Sequence, residues 1–142
     1  MLNPSTADGD TDDATIRKCI AFTNRLGYCS LYVVNLFAWR TARPEELLFV
    51  SDPVGPLNDF YLGARAGSDC CAPEIIAAWG SLDFCRARPT LLQRVPQVMR
   101  ELGVLPRRVM CLGTTKNGDP RHPYRLHYAA ELQPFTLKGT AA

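Results

Sequence analysis

Three short apolar runs constrain the fold of this 142-residue chain more than any other feature. They are SLYVVNLF (30–37), EIIAAWG (74–80) and RRVMCL (107–112), each nearly continuous in its apolar residues. A strand covered on both faces reads this way, whereas a strand with one wet face alternates. The intervening segments have helical spacing. Ile16, Cys19, Ile20, Phe22, Thr23 and Leu26 recur at mainly helical intervals. Thr11, Asp12 and Asp13 precede them as caps and as charges that suit a helix N-terminus, and Gly27 follows as the C′ glycine. Pro44 opens a short helix over 45–50, a second is expected from about 57 to 71, and a third over 89–102 with Pro96 kinking it. Strands alternating with helices predict an α/β class, with a mostly parallel sheet and helices on both faces.

The length suits one domain over 1–142, with a core from about 2 to 126 and a tail, 127–142, without strong pattern. Hydrophobic residues make up 46% and charged residues 21%, which excludes a disordered chain. The net charge of +2 excludes a broad basic track for tight non-specific nucleic-acid binding. A local basic patch remains available in Arg107, Arg108, Lys116, Arg121 and Arg125. No apolar run has the length of a membrane span, and the N-terminus carries no basic-then-apolar leader, so the expected location is cytoplasmic with no membrane partner. The six cysteines form no Cys-x-x-Cys pair, and several sit in apolar contexts where a free thiol acts as a small hydrophobe. Neither a metal nor a cofactor is expected.

Polar residues gather where strands end. Pro4 cannot donate to a ladder and stops any strand, and it holds Asn3 extended. Ser5, Thr6 and Asp8 then crowd side-chain oxygens at a strand-to-helix corner. Asn35 lies within the second run, the loop 38–41 with Trp39 follows it, and the polar loop GTTKNGDPRHP (113–123) follows the third. In open parallel sheets the carboxyl ends of strands form the ligand-binding edge. That edge is expected to present Asn3, Asp8, Asn35, Trp39, Lys116, Arg121 and His122. Carboxamides can bond a base edge in two places, an aromatic ring can stack on it, and a histidine can donate to developing negative charge. Each residue also has a plainer role. Asn35 can satisfy backbone groups, Asp8 can cap a turn, Lys116 and Arg121 can be solvated loop charges, and Trp79 is expected in the core.

The segments LNPSTAD, DDATIRKC, VVNLFAWR, DPVGPLND, AAWG and LGTTKNGDPRHP together resemble the domain of unknown function 1643 family, from Leu2 to about Leu126. More distantly, the motif order is similar to the uracil-DNA glycosylase superfamily. The matching positions are Asn3-Pro4 after the first strand, Asn35 in the second, Trp79-Gly80 after the next and His122-Pro123 after the last. That resemblance implies a three-layer α/β/α sandwich on a four-stranded, mostly parallel sheet. It implies that Asn3 positions an attacking water, Asn35 reads the base, and His122 stabilises the departing base. Pro4, Ser5, Asp8, Trp39, Lys116 and Arg121 would contact substrate, and Leu126 would wedge into a duplex. Asn3 stands where the fastest members have aspartate, and the 113–123 loop is longer and differently charged. Only Met1 and Leu2 precede the motif, so the first strand is expected to be truncated, which would leave backbone groups of its neighbours unpaired.

Two functions fit these residues. One is an N-glycosidic hydrolase acting on a base of a nucleic acid, DNA included, or of a nucleotide. The other is a nucleotide or nucleic-acid binding module without chemistry.

Overall fold

Glycine at position 27 sets the first boundary of the fold. Its φ of +78° is a left-handed conformation that side chains with a Cβ resist. Tyr28 N–H donates to the Thr23 carbonyl at 3.0 Å and Gly27 N–H to the Asn24 carbonyl at 3.1 Å. This pair of bonds is a Schellman motif, and it closes helix α1 (Ala14–Arg25) where the sequence predicts. The computed structural model describes residues 1–5, 14–66, 74–103 and 109–137. Asp8 and the predicted caps Thr11, Asp12 and Asp13 lie outside the described residues.

The other elements are helix α2 (Asn58–Ala66), strand β1 (Ile75–Ala77), helix α3 (Arg94–Glu101), and strands β2 (Val109–Cys111) and β3 (Gln133–Pro134). Short 3-10 turns cover Pro44–Leu48, Asp83–Ala87, Pro89–Gln93 and Pro123–Arg125. β1 and β2 are parallel, with Ile76 opposite Met110 and Ala77 opposite Cys111. β3 runs antiparallel on the far side of β2, with Gln133 opposite Cys111. Pro134 is tolerated there because an edge strand need not donate outward. The class is therefore α/β, but the described sheet has three strands, one of them antiparallel, where four mostly parallel strands were expected.

The run 30–37 departs most from expectation: it is extended but not a ladder strand. A strand exists only through its partners, and this run has a two-residue partner. The Met1 ammonium donates to the Val34 carbonyl at 2.8 Å, and the Met1 carbonyl accepts from Leu36 N–H at 3.0 Å. That bond pattern places Met1 parallel and opposite Asn35. Leu2 extends the contact by accepting from Phe37 N–H at 2.9 Å. Leu36 and Phe37 are buried, while Leu31 and Tyr32 are exposed.

Pro96 also departs from expectation. The segment 89–102 does break, but before the proline, where the 3-10 turn Pro89–Gln93 gives way to α3. Pro96 is the third residue of α3, where a backbone N–H has no helical partner to lose.

Two apolar clusters form the core. The larger joins Leu2, Leu36, Phe37, Leu62, Ala77, Trp79, Val95 and Val98, with Ile75 and Val109 packed against it. The smaller joins Phe22 of α1 to Leu112 and Leu126. Val109 of β2 packs against the larger cluster, and Leu112, just past the end of β2, belongs to the smaller. Burying Phe37 and Leu62, each 1% exposed, stabilises the larger cluster by about 1.5–3 kcal/mol per side chain.

Buried polar groups tie the layers together. Arg94, 2% exposed, donates from Nε to the Leu36 carbonyl at 2.6 Å and pairs with Asp59 of α2 through Nη2. Asn58 Nδ2 donates to the Asn35 and Leu36 carbonyls at 3.3 and 3.1 Å. Arg88 caps the turn Pro44–Leu48 by donating to the Leu47 and Val50 carbonyls at 3.2 and 2.6 Å.

Candidate functional site

The Asn-Pro corner is built from residues 3–5 and 39–41. The Pro4 carbonyl accepts from Thr41 N–H at 3.2 Å. Asn3 Nδ2 donates to the Thr41 carbonyl at 2.8 Å and the Pro4 carbonyl at 3.0 Å, with a longer bond of 3.4 Å to the Trp39 carbonyl. Three carbonyl oxygens around one end of a carboxamide identify that end as the NH₂ group. Oδ1 then makes no hydrogen bond among the described residues and remains an acceptor. Arg40 Nε donates to the Ser5 carbonyl at 3.2 Å, which brings Ser5 into the same corner. Beneath it Thr41, 6% exposed, donates from Oγ1 to Glu46 at 2.7 Å and accepts from Arg43 N–H at 2.9 Å. The Thr41 hydroxyl, then the Arg43 side chain, hold the Glu46 carboxyl below its usual range.

The second polar loop folds as a small hairpin. Thr114 bridges Pro120, Thr115 N–H donates to the Asp119 carbonyl at 2.7 Å, and Gly118 N–H donates to the Thr115 carbonyl at 2.9 Å. The hairpin is bound to the loop after β1 at three levels. Gly80 N–H donates to the Pro120 carbonyl at 2.9 Å, Leu82 N–H to Asp119 Oδ2 at 3.0 Å, and Asn117 Nδ2 to both Asp83 oxygens at 2.7 Å. The Ser81 hydroxyl, the largest influence, and then Asn117 and Arg86 keep the Asp83 carboxyl below its usual range.

His122 caps the turn Pro123–Arg125. Its Nδ1 accepts from Tyr124 N–H at 3.3 Å, so the neutral ring carries its proton on Nε2. Gly80 lies against it: a Cβ built on Gly80 would sit 3.4 Å from His122 Cβ, and Gly80 has a φ of +84°. The contact itself is of ordinary length, and it is the positive φ that explains the glycine of the Trp79-Gly80 pair.

The remaining predicted residues are distributed as follows. Trp39 is 46% exposed beside the Asn3 corner. Lys116 and Arg121 are exposed on the hairpin, with Arg121 Cδ close to Gly113. Asn35 lies level with Met1, two residues short of the Asn3 position. It lines a cavity of about 50 Å³ between the 34–36 segment, β1 and α3. Leu126 is 5% exposed and packs with Phe22 and Leu112. A wedge there would have to leave the smaller core, because the side chain points into the protein. Trp79 is buried, 5% exposed, as its apolar context predicts.

Sequence reasoning overlooked Asp83, Asn117 and Asp119, which hold the hairpin. The turn-forming Asn117-Gly118 pair was the available signal. Among the described residues no group of three or more His, Cys, Asp or Glu is placed to hold a metal ion. None of the described helices is long and apolar enough to cross a membrane.

A family model described as Protein of unknown function (DUF1643) matches residues 1–124. The chain belongs to this family. The match spans the Asn-Pro corner, the Trp79-Gly80 pair and the hairpin with His122, so all three are parts of the DUF1643 region. No curated protein and no solved structure matches the chain. The likeness to uracil-DNA glycosylases therefore rests on motif order alone.

Proposed function

We propose that the corner of Asn3 and the loop of His122 border a nucleobase-recognising cleft, and that the protein hydrolyses an N-glycosidic bond. The observation that carries this reading is the arrangement of the Asn3 carboxamide. Its NH₂ end is held by backbone carbonyls, so Oδ1 is a fixed acceptor able to orient a water. The water oxygen forms a bond to the sugar carbon as the carbon–nitrogen bond breaks. The base leaves with the electron pair, and the water's proton passes to solvent and then to the released base. Asn3 takes no proton. His122 Nε2–H supplies a hydrogen bond to the charge that grows on the base. Trp39, exposed beside Asn3, offers a stacking surface. Met1–Leu2 and the 34–37 segment run parallel to each other and hold Asn3 at the end of that pairing.

A non-catalytic binding module is the second reading, and the exposure of Lys116 and Arg121 favours it. The test is base release from oligonucleotides carrying uracil, hypoxanthine, xanthine or alkylated bases, with Asn3→Ala beside the unchanged chain. Release that disappears with Asn3→Ala supports hydrolysis. No release from well-folded protein, with retention of the same oligonucleotides that weakens with salt, supports the binding module.

A further inference from the structure

We propose that a cavity of about 640 Å³, bordered by Trp79, Asp83, Arg86, Asn117, Asp119 and Phe135, binds a small organic cation, an ammonium group on an apolar body, with the ammonium paired to Asp119. None of the residues predicted for the nucleobase cleft lines this cavity, so the inference stands apart from that reading. Its volume falls in the range of small-molecule sites, about 300–1,000 Å³.

The charges of the wall select the ligand. Arg86 Nε lies 3.5 Å from Asp83, and Asp83 also accepts from Asn117 and Ser81, so Asp83 is already compensated. Asp119 is not. Its Oδ2 accepts from Leu82 N–H, and its Oδ1 makes no hydrogen bond among the described residues. An anion entering the cavity would meet this carboxylate. A purely apolar molecule would strip water from it without replacing the lost hydrogen bond. An ammonium donor does neither.

The rest of the wall suits the body of such a ligand. Trp79 and Phe135 meet edge to face, with ring centroids 5.5 Å apart and planes at 85°. Leu82, Val95 and Leu137 complete the apolar surface. Aromatic rings beside a carboxylate are a recurring recipe for ammonium recognition, because the ring face attracts positive charge.

The experiment titrates the full chain with phenethylammonium, followed by calorimetry and by the indole N–H resonance of Trp79. Saturable binding is expected, with phenethyl alcohol and phenylacetate weaker by about tenfold or more. Asp119→Asn keeps an oxygen for Leu82 N–H and removes the charge, and it should weaken binding by a similar factor. Leu92→Trp, at the cavity wall, narrows the space with every charge intact and should also weaken binding. Absence of saturable binding to folded protein overturns the proposal. So does equal affinity for phenylacetate, or a folded Asp119→Asn protein that binds as well as the parent. If Asp119→Asn does not fold, the comparison of the three small molecules and the Leu92→Trp variant decides.

Discussion

Asn3 Nδ2 stands 2.8 Å from the carbonyl oxygen of Thr41, a bond between residues 38 positions apart that closes the corner at the chain's start. The polarity of that bond has a direct test. Asn3→Asp would set carboxylate oxygens against the carbonyls of Pro4, Trp39 and Thr41, where only a donor fits. Urea denaturation should show a loss of about 2 kcal/mol, against about 1 kcal/mol for Asn3→Ala, which leaves the carbonyls unpaired without adding repulsion. An aspartate variant as stable as the parent would mean that these carboxamide bonds do not hold the corner together.

Gly80 should tolerate no side chain without cost. Its φ of +84° strains any side chain, and an added Cβ would touch His122 Cβ at an ordinary contact distance of 3.4 Å. Gly80→Ala should lose about 1–2 kcal/mol by thermal or urea unfolding, and the ring resonances of His122 should shift. Gly27→Ala is the control, since Gly27 shares the positive φ but has nothing within 4 Å of the added carbon. It should lose about 1 kcal/mol and leave His122 unmoved.

Arg94 is the polar hub between the 34–37 segment, α2 and α3. Arg94→Met should cost about 2–3 kcal/mol. The loss falls short of that for a fully buried pair because Asp59, 39% exposed, can be hydrated once its partner is gone. Arg94 Nη1, buried without a hydrogen-bond partner among the described residues, also ceases to be a burden. Asp59→Asn should cost less, about 1 kcal/mol, and the two measured together in a double-mutant cycle give the coupling.

The N-terminal amine gives a pH dependence. Burial, opposed by a smaller influence of Cys19, pulls its pKa from 8.0 down to about 6. Between these values the unfolded chain holds the proton and the folded chain does not. Stability should therefore rise with pH from about 6 to 8 and level off above, by on the order of 2–3 kcal/mol. A carbon-13 titration of Met1 separates this group from the histidines. A midpoint near 8 would show that the amine is solvated.

How legible the sequence was depended on whether a signal was local. The end of α1 was legible because Gly27 needs a positive φ that few other residues accept. β1 was legible because its apolar run is self-contained. The 30–37 run was not, because its pairing depends on Met1 and Leu2, far away in the chain. β3, two exposed residues including a proline, becomes a strand only because β2 offers an edge. The buried role of Arg94 was not legible either, since nothing near it in sequence reveals the Leu36 carbonyl or Asp59. Of the candidate site, the Asn3-Pro4 corner was visible from backbone chemistry, whereas the inward direction of Leu126 depended on packing against α1.

The bonds joining residues 80–83 to the 117–120 hairpin have a mechanical consequence. Gly80, Leu82 and Asn117 each donate across the gap, so neither loop can swing away alone. The segment after β1 and the hairpin therefore move as one piece, and His122 follows that hairpin directly in the chain. At the Asn3 corner only the backbone of Ser5 is fastened in this way, by its carbonyl to Arg40, and the Trp39 ring stands exposed.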